Sequence, residues 1–123
     1  MEMSIEFPGG DQVAARFDGL EVRTNQDGSA PAPFDLFLAS IGTCAGVYVS
    51  RFCRQRGIAT DGLRIRQRVS ADPGTKMVDR IELEIEFPPG FPPQYRDAAI
   101  RSAQLCAVKK HLETPPRIEV RAA

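Results

Sequence analysis

The chain has 123 residues, its 16 basic and 16 acidic side chains cancel, and 42% of its residues are hydrophobic. This size and composition are typical of one globular domain with its own core, and we predict a single domain over residues 1–123. A neutral chain has no net field that attracts phosphates or anionic lipids, so we expect neither nucleic acid nor a membrane as a partner. The apolar stretch over residues 36–49 is short for a membrane span.

The cysteine content indicates a reducing compartment. Three cysteines are an odd number at low density, which argues against the disulfide framework of a small secreted protein. Residues 1–6 lack the basic region and the apolar stretch of a secretory signal. We therefore predict a cytoplasmic location, in which the three thiols are either buried or reactive.

Short alternating runs in the first quarter of the chain predict two or three antiparallel strands. Residues 3–7 and 13–17 alternate apolar and polar side chains, as half-buried strands do. Asp18-Gly19 stands between two such runs and is a strong signal for a hairpin turn. A loop rich in Asn, Asp, Gly, Ser and Pro follows over residues 25–33.

A long helix is predicted over residues 34–56. Apolar side chains recur there every three or four residues, at Phe34, Phe37, Ile41, Cys44, Tyr48 and Phe52. Pro33 suits a first-turn position, Asp35 complements the positive end of the helix dipole, and Gly57 can close the helix. The helix is apolar nearly all round, which indicates a central helix covered on several sides.

The second half of the chain predicts two strands, a helix and a closing strand. Residues 63–69 and 81–87 alternate, and pairing across the turn between them places Arg64, Arg66 and Arg68 opposite Glu86, Glu84 and Glu82. A second helix is predicted over residues 95–112 and a last strand over residues 117–121. The order β-β-β-α-β-β-α-β defines an α+β fold.

Two cysteines lie in the middle of the two predicted helices. Cys44 belongs to the first helix and Cys106 to the second, and two buried helices in so small a chain must pack on each other or on a partner chain. A disulfide needs Cα atoms no more than about 7 Å apart, so the cysteines either meet or act separately as small hydrophobic side chains. Cys53 follows Cys44 by nine residues, half a turn out of phase, and should point elsewhere.

Two segments resemble motifs of the OsmC/Ohr family. Residues 33–44, Pro-Phe-Asp-Leu-Phe-Leu-Ala-Ser-Ile-Gly-Thr-Cys, are similar to the signature of the family's first helix. Residues 103–108, Ala-Gln-Leu-Cys-Ala-Val, are similar to its Cys-Pro-Val type motif, with Ala107 in place of proline. The element order is similar too. This resemblance implies an OsmC-like fold in which antiparallel sheets wrap around two central helices of an intertwined homodimer.

The same resemblance implies a thiol peroxidase that prefers organic hydroperoxides. Cys44 would attack the peroxide, Cys106 would resolve the resulting sulfenic acid as a disulfide, and an external dithiol would restore both thiols without a bound cofactor. In the family, an arginine held by an acidic residue near the start of the first helix lowers the pKa of the attacking thiol. Asp35 stands at about that acidic position, and the candidate arginine is Arg23, with Arg16 as its competitor.

The apolar residues before and after Cys44 predict a substrate-binding wall, formed by Phe34, Phe37, Ile41 and Tyr48. One alternative is a non-enzymatic protein that senses oxidants or binds a small apolar ligand. A metal site made of the three cysteines and His111 is disfavoured because no Cys-x-x-Cys pair is present, and a Cys106–His111 hydrolase lacks an evident third group. His111, near a helix C-terminus, is interpreted as a capping or surface residue.

Overall fold

The computed structural model describes residues 1–123 and confirms the α+β class. The elements run in the order β1 Ser4–Gly9, β2 Gln12–Phe17, β3 Leu20–Thr24, α1 Pro33–Gln55, β4 Arg64–Ala71, β5 Val78–Glu86, a 3-10 helix Pro93–Tyr95, α2 Arg96–Ala103 and α3 Ala107–Glu113. The chain divides into two compact units, Met1–Ser40 and Ile41–Ala123, and α1 begins in the first unit and ends in the second.

The first unit is built around an antiparallel sheet in the order β1-β2-β3. The predicted Asp18-Gly19 turn joins β2 to β3, and both of its residues have positive φ angles, 48° and 75°. Such a turn matches the right-handed twist of the strands that it joins, which is why an Asp-Gly pair favours it. Phe17 pairs directly with Leu20 beside the turn, so the hairpin is confirmed.

Both ends of α1 are set by local sequence signals. Pro33 is its first residue, and the carboxylate of Asp35 accepts a hydrogen bond from the Ala32 N–H group at 3.1 Å. At the other end Gly57 takes a φ of 65°, and the N–H groups of Gly57 and Ile58 donate to the carbonyls of Arg54 and Cys53. These bonds satisfy carbonyls that the end of a helix leaves free, so α1 ends where the glycine predicts.

In the second unit, β4 and β5 form an antiparallel hairpin with the predicted register. Arg64 lies opposite Glu86, Arg66 opposite Glu84 and Arg68 opposite Glu82. The ion pairs that form are diagonal: Arg66 bonds Glu86 at 2.7 Å and Arg68 bonds Glu84 at 2.6 Å. These side chains are exposed except for Glu86, which is half-buried, so the charges fix the register of the hairpin and add little stability.

The core of the second unit lies between α1, the hairpin and α2. Its buried members are Val49, Phe52, Cys53, Phe91 and Ala99. Aliphatic residues from the inner face of the hairpin, including Ile65 and Ile85, pack against them. The C-terminal half of α1 therefore packs against the hairpin. Cys44 lies on the part of the same helix that belongs to this unit.

The second predicted helix is wrong in one respect, because residues 95–112 do not form one continuous helix. The segment is divided into α2 and α3, and Cys106 lies between them with a φ of −48° and a ψ of 126°. That extended backbone cannot continue an α-helix. Instead the Cys106 sulfur accepts a hydrogen bond from the Lys109 N–H group at 3.5 Å and caps the start of α3.

The closing strand predicted over residues 117–121 is also wrong for the isolated chain. No strand of the chain pairs with this segment, and its apolar side chains Ile118 and Val120 are 84% and 95% exposed. A strand forms only where a neighbouring main chain supplies hydrogen-bond partners. The sequence of this segment alternates as a strand does, but no strand of the same chain lies beside it to form the hydrogen bonds.

By length and composition alone, α1 is long and apolar enough to cross a membrane, contrary to the estimate made from its apolar stretch. A single helix of this kind is weak evidence, because the core helix of a soluble protein passes the same test. In this structure α1 buries Ile41, Ala45, Val49, Phe52 and Cys53.

Candidate active site

Two thiols meet in the second unit, where the middle of α1 comes close to the start of α3. Cys44 is half-buried, Cys106 is only 2% exposed, and both are free thiols that share a hydrogen bond. We refer to Cys44 and Cys106 as the thiol pair. The fold therefore brings together the two cysteines that the sequence placed on separate helices.

Two main-chain N–H groups at the start of α3 act on the Cys44 sulfur. The Val108 N–H group donates to it and is the main cause of a lowered pKa for Cys44. Burial is the next largest effect and opposes the shift, while the Cys106 thiol, the Ala107 N–H group and the positive charge of Arg51 lower the pKa further. Hydrogen bonds to the charged form of a thiol favour that form, so Cys44 is the thiol that ionises first.

The pKa of Cys106 is shifted in the opposite direction, upwards. Burial raises its pKa, and the neighbouring Cys44 raises it further, although the Lys109 N–H group works against both effects. Its sulfur also lies 3.9 Å from the carbonyl oxygen of Ile41, which is a second acceptor beside Cys44 for its single S–H proton. The pair thus combines a sulfur that favours the thiolate with a sulfur that keeps its proton. This is the division of labour that attack and resolution require.

Replacing Ala107 with proline is expected to raise the pKa of Cys44. The substitution removes one N–H donor from its sulfur and leaves the Val108 N–H group in place. Proline suits the first position of a helix, and the ψ of 126° at Cys106 lies in the range that a residue before proline adopts, so the fold should be retained. The rate of Cys44 alkylation by iodoacetamide, followed against pH, should show its midpoint moved to higher pH.

Ala107→Ser keeps the N–H group and is the matched control for this substitution, so its midpoint should remain that of the wild type. The contribution of Cys44 to wild-type stability is complete above the ordinary pKa of a thiol and is lost as pH falls through the lowered value. The proline variant should lose this contribution at a higher pH. An unchanged midpoint would show that the Ala107 N–H group does not stabilise the thiolate.

An apolar cavity of about 590 Å³ adjoins the thiol pair within the second unit. This volume lies within the range of ordinary small-molecule sites, about 300–1,000 Å³. Its wall is mostly aliphatic, with side chains of Ile41, Ile65, Ile81, Leu83, Ile85 and Ile100, and α3 contributes Lys109 and Leu112. Of the thiol pair, Cys106 lines the cavity and Cys44 does not.

Only one residue of the predicted substrate-binding wall, Ile41, lines the cavity. Tyr48 is half-buried on α1 and is not among the lining residues. Phe34 and Phe37 belong to the first unit, where their exposed rings pack on each other with centroids 5.3 Å apart. The aliphatic wall comes mainly from β4, β5 and α2, which the sequence did not connect with Cys44.

The structure does not join Arg23 to Asp35. Arg23 forms an ion pair with Glu21, two residues away on the same strand, and Arg16 bonds the same carboxylate at 2.6 Å. Arg23 is the main cause of a lowered pKa for Glu21, and Arg16 contributes. Asp35 instead bonds the Ala32 N–H group. Within the first unit, Glu21 is therefore the carboxylate that holds both candidate arginines.

The remaining candidate residues take no part in the thiol pair. Cys53 is fully buried in the core of the second unit, and burial raises its pKa, as expected for an unreactive cysteine. The Nδ1 atom of His111 lies 2.6 Å from the Ala107 carbonyl oxygen, one turn earlier on α3. No group of three or more His, Cys, Asp or Glu side chains forms a site that could hold a metal ion.

Sequence reasoning missed the groups that act on Cys44 from within its own unit. Arg51 was available, because a residue seven positions after Cys44 lies two turns along on the same side of the helix. Nothing in the sequence identified the main-chain N–H groups of Val108 and Ala107 as groups that act on Cys44. Every residue but proline carries such a group, and the groups are free to bond a sulfur only because a new helix begins at Ala107.

Fold and site together define an α+β thiol protein in which two cysteines meet at the start of a helix. The chain belongs to the family of OsmC-like proteins, whose family model matches residues 26–121. No curated protein matches the sequence.

Solved structures with the same fold are distant in sequence. One is a protein from Psychrobacter arcticus 273-4 assigned to osmotic stress induction and detoxification response, with 18% identity and a TM-score of 0.73, covering 88% of this chain and 85% of that chain. Another is a hypothetical protein from Aquifex aeolicus VF5, with 18% identity and a TM-score of 0.75, covering 93% of this chain and 87% of that one. At this identity the likeness establishes the fold alone.

Proposed function

We propose that the chain is a thiol peroxidase that reduces organic hydroperoxides through Cys44 and Cys106. The Cys44 thiolate attacks the terminal peroxide oxygen, the O–O bond breaks, and the departing alkoxide takes a proton to become an alcohol. Cys44 is left as a sulfenic acid, with which the Cys106 thiol condenses to form a disulfide and water. An external dithiol then reduces this disulfide by exchange, and no bound cofactor is needed.

The observation that carries this proposal is the asymmetry of the thiol pair. The Cys44 sulfur accepts hydrogen bonds from main-chain N–H groups that lower its pKa, while burial raises the pKa of Cys106 beside it. A thiolate next to a protonated thiol is the arrangement in which a sulfenic acid is formed and then resolved. A reducing compartment such as the cytoplasm would keep both thiols reduced and able to react.

The apolar cavity supports an organic hydroperoxide as substrate. Its aliphatic wall favours an alkyl or aryl group over the small, polar hydrogen peroxide molecule. The description of the Psychrobacter arcticus protein includes detoxification, which is compatible with removal of such peroxides.

The test is a turnover assay in which a dithiol is the only electron donor. Cumene hydroperoxide should be consumed with matching loss of dithiol, and kcat/KM should be about tenfold or more above that for hydrogen peroxide, as burial of an apolar group predicts. Matched assays with tert-butyl hydroperoxide, a smaller alkyl peroxide, should give an intermediate value. Equal values for all three peroxides would contradict selection by the cavity, and no turnover with any would contradict the peroxidase.

We also propose that the chain works as a homodimer. Large apolar side chains of the second unit remain exposed, among them Val47, Leu105, Leu112, Ile118 and Val120. A second copy would cover such side chains and offer the segment over residues 117–121 a strand to pair with. Sedimentation equilibrium checks this proposal, and a mass of 13.5 kDa, that of one chain, would contradict it.

A second candidate function is the binding of a small apolar ligand without catalysis. The observation that favours it is that Cys106 lines the cavity and Cys44 does not. In that case oxidation of the thiol pair would be slow and would not be turned over by dithiols. A purified protein that retains an apolar molecule and shows no peroxide turnover would support this candidate.

A further inference from the structure

Sulfur atoms hold the first turn of α3. The Cys106 sulfur accepts a hydrogen bond from the Lys109 N–H group at 3.5 Å, and the Val108 and Ala107 N–H groups act on the Cys44 sulfur strongly enough to lower its pKa. These are three of the donors that the start of a helix leaves without partners inside the helix. Both sulfurs of the thiol pair are therefore structural partners of α3 as well as candidate reactive groups.

Little else holds α3 in place. The helix has seven residues, none of which is buried. Helices this short are marginal in water unless caps or packing support them. Lys109 and Leu112 line the apolar cavity, so α3 also forms part of the cavity wall. The stability of this wall thus depends on bonds to two redox-active atoms.

Disulfide formation weakens these bonds together. Cys106 loses its S–H proton, which the Ile41 carbonyl oxygen can accept, and the Cys44 sulfur can no longer take the negative charge that the neighbouring N–H groups favour. The two sulfurs must also approach to about 2.05 Å, much closer than in a hydrogen bond, so at least one moves away from its present partners. What remains at the helix start is a neutral disulfide, which is a poor acceptor.

We infer that oxidation of the thiol pair releases the first turn of α3, opens that side of the apolar cavity and exposes the disulfide to its reductant. This inference rests on the Cys44–Cys106 disulfide of the proposed function. In the reduced protein Cys106 is 2% exposed, and a dithiol can attack a disulfide only where it reaches a sulfur atom. Release of α3 provides that access in the oxidised state alone, because Cys106 is buried in the reduced state.

The test is amide hydrogen exchange measured by mass spectrometry on the reduced protein and on protein oxidised with diamide. Diamide takes two electrons and two protons from two thiols and becomes a hydrazine, so it forms the disulfide without any peroxide. Exchange over residues 107–113 should become about tenfold faster, the order expected when a helix loses its N-cap. Exchange over residues 49–53, in the core, should not change.

Cys44→Ser is the matched control, because Cys106 keeps its thiol and its cap but has no partner for a disulfide. Diamide should leave exchange over residues 107–113 of this variant unchanged. A Cys44–Cys106 disulfide without faster exchange would overturn the inference and leave the peroxidase standing. Absence of the disulfide would overturn both, and faster exchange in a protein that turns over no peroxide would overturn only the peroxidase.

Discussion

Replacing Cys44 with serine is expected to lower the rate of peroxide reduction by about 10³-fold or more, the order of effect seen when an enzyme loses its nucleophile. The N–H groups of Val108 and Ala107 that stabilise the Cys44 thiolate do not bring a serine hydroxyl near ionisation at neutral pH. Serine is close to cysteine in size, so the packing of α1 should be kept. Loss of cumene hydroperoxide under dithiol-driven turnover measures the effect.

Cys53→Ala is the control for Cys44→Ser, since Cys53 lies in the same helix but within the core. This variant should keep most of its peroxide turnover, although it leaves a small cavity and lowers stability by about 1 kcal/mol. If Cys44→Ser retained turnover while Cys53→Ala lost it, the attacking thiol would be Cys53. If both variants retained it, no cysteine of α1 would be the nucleophile.

Replacing Cys106 with serine is expected to separate attack from resolution. Cys44 keeps the N–H donors that lower its pKa, so the first reaction with peroxide should proceed within about tenfold of the wild-type rate, because only the hydrogen bond from the Cys106 thiol is exchanged for one from a hydroxyl. The disulfide cannot form, and the reaction should stop at a Cys44 sulfenic acid. Serine is a favoured N-cap, so α3 should begin at the same place.

Intact mass after one equivalent of cumene hydroperoxide distinguishes the outcomes for Cys106→Ser. The variant should gain about 16 Da for one oxygen, and the thiol trap dimedone should label Cys44. The wild type should instead lose two hydrogens. If the variant reacted no faster than Cys44→Ser, Cys106 would be needed for the attack itself and would not be only a resolving thiol.

Local signals in the sequence predicted most of the secondary structure. Asp18-Gly19 specified its hairpin because positive φ angles are needed at both positions, and Pro33 and Gly57 marked the two ends of α1. The alternating charges of β4 and β5 specified their register, since a shift by one residue would turn every aliphatic side chain of the inner face to solvent. Each of these signals depends only on nearby residues.

The interruption between α2 and α3 could not be found in this way. Its apolar residues keep a helical spacing through Cys106, and periodicity does not register a single residue in extended conformation. In the family motif the proline after the second cysteine would have marked the first residue of a new helix. Ala107 removes that mark from this sequence. The same alanine supplies a main-chain N–H group that proline lacks, and this group bonds Cys44.

The sequence predicted which two cysteines form the candidate site. It did not predict the groups that lower the pKa of Cys44 or the residues that line the cavity. The family resemblance paired Cys44 with Cys106, and the structure brings them together. The main cause of the lowered pKa of Cys44 is a main-chain N–H group, whose presence no residue type signals. The apolar cavity depends on packing among β4, β5, α2 and α3, so it could not be inferred from residues near Cys44 along the chain.

One experiment on the wild-type protein decides whether Cys44 and Cys106 together reduce a peroxide. Fully reduced protein is treated with one equivalent of cumene hydroperoxide, and free thiols, intact mass and the peptide map are followed with time. We expect rapid loss of two thiols and of about 2 Da, with a disulfide that links Cys44 to Cys106. If both cysteines stayed reduced, or were oxidised slowly and without a link between them, the chain would keep its OsmC-like fold but would not be a peroxidase.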